Sequence, residues 1–298
     1  MSPGDLIHGF SRFDRDEKIR IASNFAGQPE EFIRELQKHW PENPEWQDRY
    51  SEISENAVST YVLPYSLVPN FLINGRGYMV PMVTEESSVV AAAASAAKFW
   101  WQHGGFVTRV NEMHKPGQIH FLWKGDPDVI TSFIKEITPG FREVTREITK
   151  SMEKRGGGIH TILLKELNDK MPGYYQLEVL FNTADAMGAN FINSCLERMA
   201  GFMMEQAGIK GLSSHLEIIM SILSNYTPQC LVECTVSCEV SHLSQPQSAM
   251  TGAEFARRFE TAVLMARYDV NRAVTHNKGI YNGVDAVLIA TGNDFRAA

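Results

Sequence analysis

Three residues have side chains that could act directly in chemistry at a carbonyl group. Lys278 lies in the glycine-rich segment THNKGIYNG, Glu86 directly precedes an alanine-rich run, and Asp294 ends the segment ATGND. A fixed lysine cation in a water-poor site stabilises negative charge on a carbonyl oxygen. A carboxylic acid donates a proton near neutral pH if burial or a second carboxylate raises its pKa. These residue types therefore suggest charge stabilisation and proton donation.

Each of these residues also has an ordinary structural explanation. A lysine between an asparagine and a glycine on a loop is usually solvated. Glu85 and Glu86 would favour the helix dipole as first-turn acids, and neighbouring residues point in different directions, so only one of them should face a substrate. Asp294, at the end of a predicted strand, is by type more often a helix cap. Taken singly, none of these residues decides the function.

The segment DAMGAN, residues 185 to 190, is a second candidate site. Its glycine allows a close backbone approach, and the helix predicted after it offers amide donors to a pyrophosphate. It is not the fingerprint of a doubly wound sheet, which has three spaced glycines after a parallel strand. An ordinary α/β dehydrogenase is therefore disfavoured, and alone the segment indicates only a capped helix.

The elements that must position these residues predict an α+β fold. Amphipathic patterns such as PEEFIRELQKHW predict helices in the first sixty residues, Asn74-Gly75 predicts a hairpin, and Ser87 to Trp101 predicts a buried helix. The next segments predict two strands, a helical stretch from about Asp128 to Lys154 broken at Pro139-Gly140, and two more strands, in the order FVTRVNEM, QIHFLWKG, HTILLKEL and YYQLEVLFNT.

The C-terminal part predicts helices, a strand and a loop. A helix is expected from about Ala189 to Gln206 and another over AEFARRFETAVLMARYD, with a strand between them; a glycine-rich loop then carries Lys278 and leads into a strand AVLIATGND. We expect a large, mainly helical domain of residues 1–103 and 186–298. A small α+β nucleotide-binding domain with an antiparallel sheet, residues 104–185, would interrupt it.

The composition excludes several classes of protein. Of 298 residues, 44% are hydrophobic and 21% charged, which is typical of a packed globular protein. A net charge of -7 disfavours a nucleic-acid-binding protein. We find neither a signal peptide nor a segment of membrane-spanning length, and we expect a cytoplasmic protein with no membrane partner.

The cysteines do not predict a metal site. Cys230, Cys234 and Cys238 fall on one face of a period-two pattern in QCLVECTVSCEV. On such a strand cysteine behaves as a small hydrophobe, whereas metal ligands more often come as close pairs on loops. We therefore expect no bound metal.

Four segments together resemble the hydroxymethylglutaryl-CoA reductase family, in its soluble bacterial (class II) type. They are ENAVST at 55 to 60, VPMVTEESSVVAAAA at 80 to 94, DAMGAN, and THNKGIYNGVDAVLIATGND at 275 to 294. The resemblance implies an oxidoreductase of isoprenoid metabolism. It would interconvert 3-hydroxy-3-methylglutaryl-CoA with mevalonate and coenzyme A by two hydride transfers with NADPH or NADH.

The resemblance also implies roles for individual residues. Lys278 matches the family's cation, Glu86 its acid, and Asp294 the carboxylate that couples their charges, while His276 is expected to be structural. The family's substrate-binding positions correspond to Glu55, Asn56, Arg272 and Asn282. Its cofactor-binding positions correspond to Asp185, Met187, Gly188, Asn190 and, near the ribose 2′ position, Thr149.

Two residues depart from the family pattern, and Lys150, next to Thr149, bears on the choice between NADPH and NADH. Ser59 stands where the pattern has glycine, and Ser87 where it usually has proline. Lys150 follows Thr149, and a neutral or basic residue at the 2′ position admits the phosphate of NADPH, which we expect as the cofactor.

The resemblance implies a homodimer or higher even oligomer with active sites between subunits. It also implies a C-terminal segment, beyond the end of this sequence, whose histidine protonates the CoA thiolate. We accordingly expect cofactor and acyl-CoA binding with little thioester reduction by this sequence alone. The alternative is a truncated, non-catalytic remnant or subunit that binds acyl-CoA and nucleotide.

Overall fold

The computed structural model describes residues 6–244 and 250–297. The chain divides into two compact units, the first formed within Met1–Ser66 and Val83–Ser87, the second within Leu67–Met82 and Ser88–Ala298. The predicted combination of helices with an antiparallel sheet is confirmed. The predicted domain bounds at 103/104 and 185/186 stay a prediction.

The first unit is built from short helices with clear start signals. A 3-10 helix, Phe10–Arg12, precedes α1 (Arg15–Ser23), α2 (Pro29–Lys38) and α3 (Pro44–Ile53). A capping box starts α1, because the Asp14 side chain accepts from the Glu17 amide and the Glu17 side chain accepts from the Asp14 amide. Prolines at the first turn start α2 and α3. The predicted amphipathic helix is thus confirmed as α2.

A hairpin and the alanine-rich helix follow as predicted. Strands β1 (Tyr65–Ile73) and β2 (Arg76–Val83) pair across Asn74 and Gly75, whose φ angles of 49° and 78° suit a two-residue hairpin turn. Helix α4 (Ser87–Trp101) has the predicted bounds. Its predicted burial is wrong for most positions, since within α4 only Ala97 is buried.

The main sheet has the strand order β4-β5-β3-β6, with β7 also paired to β3. Its neighbouring strands are antiparallel. The bounds are β3 Val107–Trp123, β4 Gly158–Glu166, β5 Tyr174–Asn182, β6 Leu216–Leu223 and β7 Cys230–Thr235.

The central strand β3 corrects one prediction, because the two strands expected there form one. The predicted strands FVTRVNEM and QIHFLWKG left residues 114–117 between them, but β3 runs through these residues, with β7 paired to residues 107–113 and β6 to residues 117–123. Pro116 falls in the gap between these two partners, where its missing N–H removes no bond of either ladder. A proline can therefore lie inside a long strand here.

Three helices cover one face of the sheet and enclose the main core. They are α5 (Pro127–Val144), α6 (Arg146–Glu153) and α7 (Ala189–Ile209). The core takes residues from both layers, among them Phe121, Phe181 and Leu196. The predicted interruption at Pro139-Gly140 is wrong, because α5 continues through both residues and ends before Thr145. Gly140 instead lies where a Cβ would be 2.5 Å from the Phe202 ring.

The chain ends in two long helices, α8 (Gly252–Tyr268) and α9 (Val270–Ala290), with short 3-10 helices at Val240–Leu243 and Phe295–Ala297. Helix α8 was predicted. The expected loop around Lys278 and the strand AVLIATGND are wrong, since both lie largely in α9. Ala286 of α9 packs with Val68 and Met82 of the hairpin in a second, smaller core. Of the helices that the structure describes, none is long and apolar enough to span a membrane.

Candidate functional site

The candidate residues are divided between the two compact units. Glu55, Asn56 and Glu86 belong to the first unit. The second unit contains the remaining ones, namely Thr149, Asp185, Met187, Gly188, Asn190, Arg272, Lys278, Asn282 and Asp294.

The DAMGAN segment forms the turn between β5 and α7, as predicted. Gly188 is the N-cap of α7 with φ 87°, and no side chain caps the first turn of the helix. A Cβ at this position would be 2.4 Å from Thr183 Cγ2, so both the φ angle and the space require glycine. Asp185, Met187 and Asn190 are exposed around the turn. The start of α7 therefore presents amide donors, exposed side chains and no side-chain cap.

Two basic residues lie at this turn. Lys115 of β3 donates from Nζ to the carbonyl oxygens of Ala186 at 3.2 Å and Met187 at 2.9 Å. Arg155, which follows α6, lies 3.4 Å from an Asp185 carboxylate oxygen. Two cations and one carboxylate thus surround the helix start, a charge balance that favours a bound anion.

Thr149 lies in α6 and faces the core. Its side chain is 2% exposed, and its hydroxyl lies 3.3 Å from the carbonyl oxygen of Arg146, within donating distance. Lys150, the next residue, is exposed and pairs with Glu147 at 3.7 Å. At this position the solvent-accessible polar group is therefore the Lys150 ammonium, because Thr149 is buried.

On α9 the structure brings Lys278 and Asn282 together. Their i, i+4 spacing places them on one face, and Lys278 Nζ donates to Asn282 Oδ1. Arg272 precedes Lys278 by six residues and so points about 120° away around the helix. Lys278 and Arg272 are both exposed. The pair Lys278–Asn282 is therefore a polar group on α9 that could meet a substrate oxygen.

Asp294 lies beyond the C-terminal end of α9 and binds Arg296. Arg296 donates to the Asp294 carboxylate from its backbone amide at 3.0 Å and from Nε and a terminal guanidinium nitrogen at 2.8 Å. These hydrogen bonds and the guanidinium charge lower the pKa of Asp294. Ala290 ends α9 twelve residues after Lys278, which is about 18 Å along the axis. Asp294 and Lys278 therefore have separate partners here.

Glu86 lies in the short connection between β2 and α4. It is exposed, and its amide donates to Thr84 Oγ1 at 3.2 Å. The helix begins at Ser87, so Glu85 and Glu86 precede the first turn instead of lying within it. Both residues lie just before the N-terminal end of α4, which is the positive end of the helix dipole.

Asn56 shows two unusual features in the first unit. Its φ is 62°, and its side-chain Oδ1 is buried without a hydrogen-bond partner among the described residues. A buried acceptor without a donor costs about 1–3 kcal/mol, so such a group often marks a ligand site. Glu55 beside it is exposed, and Ser59, the residue that departs from the family pattern, donates to Leu36 O at 2.7 Å.

The cysteines have different surroundings. The predicted strand is confirmed over Cys230–Thr235, but Val232 and Cys234 on its apolar face are exposed, and Cys238 lies after the strand. Within the part of the chain that the structure describes, no three His, Cys, Asp or Glu side chains are grouped to hold a metal ion.

A sequence profile of the hydroxymethylglutaryl-coenzyme A reductase family matches residues 16–298. The chain belongs to this family. A solved 3-hydroxy-3-methylglutaryl-coenzyme A reductase of Streptococcus pneumoniae superposes with a TM-score of 0.74 at 34% identity, over 98% of this chain and 76% of that one. A second structure, described as the class II reductase of that organism bound to NADPH in open conformations, gives 0.74 at 33%.

A curated relative sets the extent of the match. The 3-hydroxy-3-methylglutaryl-coenzyme A reductase of Archaeoglobus fulgidus is 30% identical over 292 residues, 98% of this chain and 63% of that protein. The chain thus spans less than two thirds of the length of that relative. Its similarity is to the class II type of reductase.

Sequence reasoning missed two residues that contact the DAMGAN turn of this reductase-family chain. Lys115 is separated from the turn by 71 residues and Arg155 by 30, so no local pattern connects them with it. The sequence signal was limited to the basic residue types themselves. Lys210 does not belong to this group of basic residues. It lines a surface depression of about 370 Å³ at the opposite end of α7 from Gly188.

Proposed function

We propose that this chain binds a nicotinamide cofactor and an acyl-CoA, and interconverts 3-hydroxy-3-methylglutaryl-CoA with mevalonate and coenzyme A. The observation that carries the proposal is the Lys278–Asn282 pair on an exposed face of α9, in a chain of the reductase family. The residue types required for two carbonyl reductions occur together in the chain.

The DAMGAN turn is the proposed site of the cofactor pyrophosphate. The first amides of α7 have no side-chain cap, and the Lys115 and Arg155 cations lie at the turn, which suits a doubly charged pyrophosphate. Asp185, Met187, Gly188 and Asn190 would line it. The bound cofactor supplies the hydride in each reduction.

NADPH is the proposed cofactor in preference to NADH. Position 149 is a threonine, and the exposed Lys150 beside it can pair with a 2′-phosphate, whereas a carboxylate would repel it. The NADPH-bound Streptococcus pneumoniae relative supports the same choice. Thr149 itself would contact the ribose only if α6 exposes its hydroxyl.

Three side chains have proposed catalytic roles. Lys278 would stabilise the negative charge that develops on a carbonyl oxygen, and Glu86 would be the proton donor of the reaction. Asp294 has a lowered pKa, so it stays ionised and would stabilise the lysine cation electrostatically. Formation of the complete site then requires Asp294 to exchange Arg296 for Lys278.

Four side chains are proposed to hold the acyl-CoA. Asn282, next to Lys278, would bind a polar oxygen of the substrate, and Arg272 an acidic group. In the first unit, Asn56 offers a buried acceptor that a substrate hydroxyl would satisfy, with Glu55 beside it. The 3-hydroxyl group of the substrate is one such donor.

A homodimer is the proposed assembly. Helices α8 and α9 expose large apolar side chains, including Phe259, Met265, Tyr268 and Val274. Apolar patches of this kind mark interfaces, and a second copy of the chain would cover them. Sedimentation at micromolar concentration should give the dimer mass, and a monomer under those conditions would contradict this assembly. The cytoplasmic location remains a prediction.

Absorbance at 340 nm tests the proposed reaction. Purified protein is assayed separately with mevaldehyde and with 3-hydroxy-3-methylglutaryl-CoA, each with NADPH and with NADH. With mevaldehyde we expect cofactor oxidation, faster with NADPH, that falls by about 100-fold or more in Glu86→Gln, and with the thioester we expect little oxidation. Glu85→Gln is the matched control and should keep the rate, because the adjacent carboxylate points elsewhere.

No oxidation of either cofactor with either substrate would contradict the reductase assignment. Calorimetric titration with NADPH and with coenzyme A would then show whether binding alone is the function.

A further inference from the structure

We infer that Lys115 is a positioning residue for the cofactor pyrophosphate: it fixes the DAMGAN turn through two carbonyl oxygens and places a positive charge at the start of α7. The inference rests on the proposed cofactor site. It adds a residue that no family segment in the sequence contains.

The register of the sheet directs Lys115 towards this turn. Lys115 of β3 lies opposite Phe181 of β5, so both side chains point to the helix-covered face. Phe181 is fully buried there and contacts Phe191 in the first turn of α7, with ring centroids 5.8 Å apart. The lysine stem therefore runs beside the start of α7.

Close packing of α7 on β3 fixes the distance. Gly117 lies two residues after Lys115, and a Cβ there would be 2.7 Å from Leu196 Cδ1 and 2.8 Å from Ile192 Cγ2. The helix can approach the strand this closely only because residue 117 has no side chain. As a result, the ammonium group of Lys115 reaches the backbone of Ala186 and Met187 just before the helix begins.

The electrostatics of this arrangement call for an anion. A lysine at a helix N-terminus is opposed by the positive end of the dipole, and cations are normally favoured at the other end. The two carbonyl oxygens compensate part of this repulsion, and Asp185 already pairs with Arg155. A pyrophosphate at the turn would neutralise Lys115, Arg155 and the amides of α7 together.

A titration of NADPH and NADH by cofactor fluorescence tests the role of Lys115. Lys115→Met should raise the dissociation constants of both cofactors by about tenfold, because a charge-assisted contact is lost. The factor should be the same for the two, since both contain the pyrophosphate. Lys115→Arg keeps the charge and should recover most of the affinity and its dependence on salt.

Lys124→Met is the matched control. Lys124 directly follows β3, nine residues or about 30 Å from Lys115, and pairs with Glu217 at 3.4 Å on the surface. Its removal should leave both dissociation constants within about twofold of the original, the scatter expected of a distant surface site. The rate of amide hydrogen exchange at residues 184–190, measured without cofactor, reports how firmly the turn is held. It should increase in Lys115→Met and stay unchanged in Lys124→Met.

Three results would overturn the inference. The first is an unchanged cofactor affinity in Lys115→Met. The second is a loss of affinity confined to NADPH, which would place the lysine at the 2′-phosphate. The third is a folded Lys115→Arg variant that does not recover the affinity. If the unsubstituted protein binds neither cofactor, the proposed function fails instead, and the two cases are distinguished by that first titration.

Discussion

Two regions of the molecule differ in how far their apolar side chains are buried within one chain. The first is the main sheet with its covering helices α5, α6 and α7, and the second is the helix pair α8–α9. In the first region Phe121, Leu177, Phe181 and Leu196 are fully buried. In the second, Phe259 is 63% and Tyr268 79% exposed. The DAMGAN turn, the proposed cofactor site, thus rests on a core completed within one chain. The proposed catalytic cation rests on helices that still present apolar surface, as expected of a site completed by a second subunit.

The largest expected effect contrasts two phenylalanines, one from each region. Phe121→Ala should lower the free energy of unfolding by about 3–5 kcal/mol, because it removes a fully buried ring and leaves a cavity. Phe259→Ala should cost under about 1 kcal/mol in the monomer. Urea unfolding of dilute protein measures both, and equal losses would remove the distinction between the regions.

Two glycines, one just before α7 and one inside it, test how the DAMGAN turn is built. Gly188→Ala should destabilise the fold by about 2 kcal/mol, since it combines a positive φ with a clash against Thr183. Gly201→Ala, in the helix interior with open space around it, should be neutral or stabilise by up to about 1 kcal/mol. Thermal unfolding compares them. A tolerated Gly188→Ala would mean that the turn is not fixed as described.

Thiol reactivity sharpens the same comparison. Burial, with a smaller contribution from Glu153, raises the pKa of Cys195 to about 12, so this thiol in the core should resist a maleimide at pH 8. Cys234 on β7 is exposed and should react within minutes. Mass spectrometry of the labelled peptides shows which cysteine has reacted. Rapid labelling of Cys195 in native protein would show that the core opens.

The smallest expected effect concerns Asp294 at the end of α9. Arg296→Ala removes the two side-chain hydrogen bonds and the guanidinium charge that lower the pKa of Asp294, but it keeps the backbone amide donor, so the pKa should rise part of the way towards the ordinary value for aspartate. Because a depressed pKa stabilises the folded state above the unfolded pKa, acidification through the carboxylate range should cost less stability in the variant. Carbon-detected NMR titration follows the carboxyl group, and an unchanged pKa would contradict this pairing.

The sequence predicted local elements best where one signal dominated. An amphipathic pattern located α2, the Asn74-Gly75 turn located the hairpin, and the runs HTILLKEL and YYQLEVLFNT located β4 and β5. The helix α4 was predicted with its bounds because alanine favours a helix wherever it packs. The bounds of these elements needed little tertiary information.

Predictions failed where tertiary contacts outweighed local preference. Gly279 and Gly283 each disfavour a helix by about 1 kcal/mol, yet α9 runs through both, with Ala286 packed against Val68 and Met82. Two strands were predicted on either side of Pro116, but β3 continues through it, because the proline lies in the gap between the partners β6 and β7. Of the site, the DAMGAN turn followed from local pattern. The Lys115 contact did not, because it depends on sheet register.

The most direct test of the account separates cofactor binding from chemistry in Lys278→Met. We assign cofactor binding to the sheet region and charge stabilisation to α9. NADPH should therefore bind the variant within about threefold of the original affinity, while mevaldehyde reduction falls by about a thousandfold. Unchanged reduction by Lys278→Met, or a matching loss of NADPH binding, would contradict that division.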